Sequence, residues 1–183
     1  MNKRTVTRVT KLAVILGAVT IATVIATQNI DVDAPGASPD TAMDSSTQQV
    51  VAVIDGDTIK TVDAEGTVNR VRIIGIDTPE IGRGGAADEC WAQDARTALA
   101  SLLDGRDVDL ISDPSQGDVD RYGRLLRHLH TDAGNVAEQL IEQGAGHEYT
   151  YSKPYIGQAE FRGAESSARD AEAGLWGACT PTN

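Results

Sequence analysis

Asp55-Gly56-Asp57-Thr58 and Asp77-Thr78-Pro79-Glu80 bracket a segment that carries Arg72, and Arg124 closes the downstream stretch Asp120-Arg121-Tyr122-Gly123-Arg124. Asp57, Asp77 and Thr78 offer oxygens but neither sulfur nor imidazole, a donor set that suits Ca²⁺ or Mg²⁺ rather than Zn²⁺. Glu80 is a spare carboxylate, and the two arginines are planar forks that match phosphate oxygens in pairs. Together these parts are what metal-assisted hydrolysis of a phosphodiester requires. Cationic charge opposes the anion's repulsion of hydroxide, and a carboxylate takes the proton of the attacking water. Taken singly, each piece also has an ordinary reading. Asp-Gly-Asp-Thr serves as a surface turn, Asp-Thr-Pro-Glu as a turn or helix start, Arg72 as a partner for Asp77, and Arg124 as a surface charge. An EF-hand is excluded, because Ile59 and Lys60 stand where that loop needs an acidic residue and a glycine. His128 and His130 share a strand face without a third ligand nearby and read as ordinary strand residues.

The elements that must position these groups follow from periodicity. Val50, Val51, Val53 and Ile54 predict a strand, Gly56 a tight turn, and Thr58–Val62 a second strand. Asp63–Gly66 reads as a hairpin connection and Val68–Ile76 as a third strand with Val71, Ile73 and Gly75 on one face. Trp91, Ala95, Leu99, Leu102 and Leu103 fall at helical spacing over 88–104, with Gly105 as the stop. Val108–Ile111 and Leu125–Thr131 predict two more strands. Asn135 and Glu138 look like an N-cap and its partner for a helix ending at Gly144, and a last helix is expected over 157–173. The fold class is therefore mainly β with helices (α+β), a five-stranded OB-fold barrel plus three helices.

The chain of 183 residues, 40% of them hydrophobic, suffices for one domain with a real core. Lys3, Arg4, Arg8 and Lys11 precede an uncharged run from Leu12 to Ala26. That pattern reads as a secretory signal peptide over 1–26, cleaved after Ala26, with an uncleaved N-terminal anchor as the rival. Residues 27–47 read as a disordered acidic linker, 48–179 as the folded domain and 180–183 as a tail. Export gives Cys90 and Cys179, the only cysteines, the reading of a disulfide; two free thiols would suit a reducing compartment instead. Removing the four basic leader residues leaves 12 basic against 27 acidic residues, a net charge of −15. Such a balance works against simple capture of a polyanion, which must instead be received locally, at the metal and the arginines.

The ordered set of Asp55–Thr58, Val71–Glu80, Asp120–Arg124, Asn135–Gly146 and Gly174-Leu175-Trp176 resembles the staphylococcal nuclease, or thermonuclease, family over roughly residues 50–177. The resemblance implies the same OB-fold barrel. It also implies that Asp57, Asp77 and the Thr78 backbone oxygen hold Ca²⁺, with Asp55 in an outer layer. Glu80 would be the general base, and Arg72 and Arg124 would bind phosphate oxygens and stabilise developing charge. Tyr149 and Tyr151 look like the family's tyrosine pair around the nucleotide. The implied product carries a 3′-phosphate, and the implied partner is a nucleic acid substrate, DNA and/or RNA. No stable protein partner is implied and a monomer is expected; a membrane enters only if the leader stays in place. The loop after Glu80, Ile81–Ala87, departs from the best-known relatives in being glycine-rich with Arg83 as its single basic residue. A second class of function fits the same barrel, a catalytically silent module that binds nucleic acid or protein. An intact catalytic set argues for the enzyme.

Overall fold

The computed structural model describes residues 43–103 and 105–180; the expected leader and all but the end of the expected linker lie outside these. In chain order the elements are β1 (Ser45–Val53), β2 (Thr58–Val62), β3 (Val68–Ile73), β4 (Gly75–Asp77), α1 (Ala92–Leu103), β5 (Asp107–Ile111), β6 (Leu125–Thr131), β7 (Gly134–Asn135), α2 (Val136–Glu142), β8 (His147–Tyr149), α3 (Gln158–Asp170) and α4 (Leu175–Ala178). Among them no helix is long and apolar enough to cross a membrane.

Strands β1, β2, β3, β5 and β6 form a closed five-stranded barrel. The antiparallel order β3-β2-β1-β5-β6 returns on itself through a parallel pair, β3 with β6, in which Val71 faces Leu125 and Ile73 faces Arg127. Alternation of apolar residues supplies the interior: Ile59, Val71, Ile73, Val108, Leu110 and Leu129 are all essentially buried. Each such side chain contributes about 1.5–3 kcal/mol on burial. β1 begins at Ser45, three residues before the expected start of the folded domain at 48. Ser45, Ser46 and Thr47 lie opposite Ile111, Leu110 and Asp109, and the Thr47 hydroxyl donates to Asp109.

The expected third strand, 68–76, divides at Ile74. Gly75 takes φ +89°, and a Cβ there would fall 2.6 Å from the Phe161 ring and 2.7 Å from that of Tyr155. Only glycine lets the chain turn so close to those rings. The turned segment, β4, leaves the barrel and pairs with β8, Asp77 opposite His147 and Gly75 opposite Tyr149.

Helices close the barrel through apolar stripes. α1 buries Ala92, Ala95, Leu99 and Leu103, and α3 buries Phe161, Ala164 and Ala168. α1 starts at Ala92 rather than 88, after a turn in which Trp91 adopts φ +74°. Asn135 caps α2, its side-chain oxygen accepting from the N–H groups of Ala137 and Glu138. The Gln139 amide donates to the Asn135 carbonyl, while the expected return bond, in which the Glu138 carboxylate accepts the Asn135 N–H, is not among the hydrogen bonds of the described residues. Cys90, just before α1, is bonded to Cys179 at the end of α4, S–S 2.03 Å.

Candidate active site

The antiparallel register sets Thr58 opposite Arg72, so the turn before β2 and the end of β3 meet at one edge of the barrel. Gly56 lets that turn lie against β4's continuation, since a Cβ would come within 2.7 Å of the Thr78 side chain. Asp57 is thereby buried, and its carboxylate accepts from three sides: the Thr58 hydroxyl (2.9 Å), the Thr78 N–H (3.2 Å) and the Arg72 guanidinium (3.1 Å). The same Arg72 nitrogen reaches Asp77 Oδ1 at 2.9 Å, while the other donates to the carbonyls of Ile73 and Ile76. Arg72 thus stands between the two aspartates named as ligands, pairing with Asp57 as well as with Asp77.

Arg124 is held by Asp120, whose one oxygen takes Nε at 2.7 Å and whose other takes the Arg124 backbone N–H at 2.9 Å. Its Nη1 donates to the Thr58 hydroxyl at 3.3 Å, the hydroxyl that donates to Asp57. A continuous chain of bonds therefore runs Arg124–Thr58–Asp57–Arg72–Asp77. Asp55 is buried in the same turn; it accepts the Asp57 N–H and lies 3.5 Å from the Arg83 guanidinium.

The electrostatics reflect crowded acids. Burial pushes the Asp57 carboxyl up to about 6, with Arg72 opposing and Asp55 adding to the shift. Glu80 is also raised, by partial burial first and then by the charge of Asp55, with Arg83 opposing. Among the described residues no group of three or more His, Cys, Asp or Glu side chains is arranged as a metal cluster. The donor set nonetheless fits a hard cation: two carboxylates and a neighbouring backbone carbonyl, all oxygen, one of the carboxylates buried and disfavoured as an anion.

One cleft of about 630 Å³ is lined by Arg72, Asp77, Glu80 and Arg124, and by Tyr149 and Tyr151. Asp55, Asp57 and Thr78 are buried in the turns behind it. The rings of Tyr149 and Tyr151 lie 6.5 Å apart, and Tyr151 is 76% exposed. Two features were not singled out from the sequence. Tyr122, 63% exposed, is flanked by Arg121 at 4.7 Å and Arg124 at 5.6 Å from its ring centre and joins the cleft wall. It sits inside the Asp120–Arg124 motif, where an aromatic between arginines was the available hint. The other is Asp113, which pairs with His128 at 3.0 Å and accepts the Ile156 N–H at 2.8 Å. Burial alone would raise Asp113, but these bonds and those from Ser115 hold it below the usual carboxylate range. With Ser115 donating to the Pro154 carbonyl, this loop fastens the segment that follows the tyrosines. His128 is therefore a buried partner in that fastening, not an ordinary strand residue.

Residues 70–178 match the family model described as staphylococcal nuclease homologue, a span that begins after the Asp55–Thr58 turn. The chain is 30% identical over 130 residues to the thermonuclease of Staphylococcus hyicus, covering 71% of this chain and 75% of that protein. It is 33% identical over 127 residues to the SPbeta prophage-derived endonuclease YokF of Bacillus subtilis (strain 168), covering 67% and 41%. To endonuclease YncB of the same strain it is 32% identical over 127 residues, covering 67% and 58%. The chain thus spans less than two thirds of the length of YokF and YncB.

Proposed function

Since this chain belongs to the staphylococcal nuclease family, we propose that it is a nuclease, a secreted calcium-dependent endonuclease that hydrolyses phosphodiester bonds of DNA and/or RNA. The observation that carries this reading is the meeting of Arg72, Asp77, Glu80 and Arg124 in one cleft, wired through Thr58 to Asp57.

Asp57, Asp77 and the Thr78 carbonyl would hold the calcium ion, with Asp55 behind them. The bound ion supplies Lewis-acid stabilisation of charge on a phosphate oxygen. The remaining work falls to the chain's own side chains. Arg72 and Arg124 present planar donors to the non-bridging oxygens and stabilise the charge that grows there in the transition state. Asp120 keeps the Arg124 fork at a fixed angle, so little side-chain freedom is lost when phosphate arrives. Glu80, raised by partial burial first and then by its acidic neighbours, and with its carboxylate in no hydrogen bond among the described residues, accepts the proton of the attacking water. With the 5′-oxygen as leaving group, the product keeps a 3′-phosphate. Tyr149 and Tyr151 border the nucleotide, and Tyr122 adds a third aromatic face. The proposed route to the exterior is the basic leader with its apolar run, removed after Ala26, and the enzyme acts as a monomer.

The acidic balance of the chain favours a second reading, a silent binding barrel. Digestion of single-stranded DNA by the domain, with Ca²⁺ and with chelator, beside Glu80→Gln, separates the two. Calcium-dependent cleavage lost in Glu80→Gln is expected; a folded wild type without cleavage across metals and salt would leave the binding module.

A further inference from the structure

A general base must be aimed, and no side chain among the described residues hydrogen-bonds or pairs with the Glu80 carboxylate itself. Pro79 before it has no N–H to give. After it comes a run with Gly82, Gly84 and Gly85, the last two at φ +63° and +95° with open space around them. What fixes Glu80 is a single residue nine positions on. The Glu80 N–H donates to the Glu89 carboxylate at 2.8 Å, and the Glu89 N–H donates to the Glu80 carbonyl at 3.0 Å. Both backbone groups of the base are thus taken by Glu89, which closes the glycine-rich loop at its neck.

Glu89 is itself anchored from the other side. Its carbonyl accepts the Ala92 N–H at the start of α1, and its neighbour Cys90 is bonded to Cys179. Trp91 follows in a left-handed conformation, φ +74°, that a non-glycine residue adopts only at a cost. The neck therefore has one end on α1 and a covalent tie to α4.

We propose that Glu89 is a positioning residue for Glu80, latching the backbone of the base through its carboxylate and main chain while the Cys90–Cys179 bond anchors the latch. The loop from Ile81 to Asp88 can then change shape around a substrate without turning the base away. This inference rests on Glu80 being the base.

The test uses Glu89→Ala, Glu89→Gln and Glu80→Gln in steady-state DNA cleavage with saturating Ca²⁺, with thermal melting alongside. Glu89→Ala is expected to lower kcat about ten- to a hundred-fold, the scale of a misplaced reacting group, with KM and melting temperature near wild type. Glu89→Gln, whose amide oxygen still accepts the Glu80 N–H, restores most of kcat. In a Glu80→Gln background, Glu89→Ala loses nothing further, because there is no base left to position. Wild-type kcat in Glu89→Ala beside an inactive Glu80→Gln would overturn the latch and leave the base standing. So would a loss confined to KM, equal losses in the Ala and Gln variants, or a further loss in the Glu80→Gln background. An active Glu80→Gln would remove the base and the latch together.

Discussion

At the scale of single residues, one guanidinium holds two carboxylates. Arg72 fills the space between Asp57 and Asp77 with a geometry that a lysine ammonium does not reproduce: one nitrogen on the carboxylates, the other on two carbonyls. Arg72→Lys is expected to reduce kcat by roughly 100-fold or more without unfolding the barrel, read by steady-state cleavage beside circular dichroism. The raised Asp57 carboxyl makes a second prediction, for metal-free protein. A carboxyl whose folded value lies above its unfolded one binds more protons in the native state, so its contribution to stability falls as pH climbs from the ordinary aspartate range through about 6. Wild type should therefore lose ground against Asp57→Asn between pH 4 and pH 7 in urea denaturation, and Ca²⁺ should return it. Equal pH slopes in the two proteins would refute the assignment. These residues were legible in the sequence because chemistry needs their types in order. What was hidden is that Arg72 pairs with both aspartates at once, and that Thr58 carries the connection to Arg124. Those are facts of register between strands, which motif spacing does not encode.

At the scale of elements, the fold was readable wherever one face of a strand or helix is apolar. Thr58–Val62 and Leu125–Thr131 begin and end where the alternation does. Ser45–Thr47 gave no signal, since those residues are held by backbone pairing and a hydroxyl rather than by burial of apolar groups. The break at Ile74 was equally silent: whether Val68–Ile76 runs on or turns depends on two rings from α3's end of the chain, Tyr155 and Phe161. Gly75→Ala tests this reading. It should cost more than about 2 kcal/mol by overpacking and left-handed strain combined, and it should impair cleavage because β4 delivers Asp77. Gly66→Ala shares the positive φ, +84°, but meets open space, so it should cost only about 1 kcal/mol and leave cleavage intact. Chemical denaturation of both variants decides it; equal destabilisation would mean that the contact with the rings is unimportant.

At the scale of the whole molecule, the net charge of −15 outside residues 1–26 opposes a polyanionic substrate, while the cleft lining sets Arg72, Arg121, Arg124 and Lys153 against Asp77, Glu80 and Asp120. Long-range repulsion is screened beyond about 8 Å at physiological ionic strength, whereas contacts in the cleft are screened less. Cleavage under kcat/KM conditions should therefore rise as salt is raised from about 10 mM toward 150 mM, the reverse of a basic nucleic-acid binder; a monotonic fall would show that the cleft cations dominate at all distances. The sequence disclosed the global charge but not this local grouping of cations, which depends on the β5–β6 connection meeting the segment after β8 through the bonds of Ser115 and Gln116 to the carbonyls of Pro154 and Lys153. The closing pair of the barrel has a consequence in time as well. β3 waits for β6, some fifty residues downstream, and β1 waits for β5 across a similar gap. A chain emerging in order thus carries the β1–β3 meander with both edges bare until β5 has been made, and with the β3 edge bare until residue 127 follows; refolding of the whole domain belongs in the millisecond-to-second range of non-local β topologies. For the cell, the hazardous form of this protein is the half-finished one, in which sheet edges stand open to any neighbouring strand.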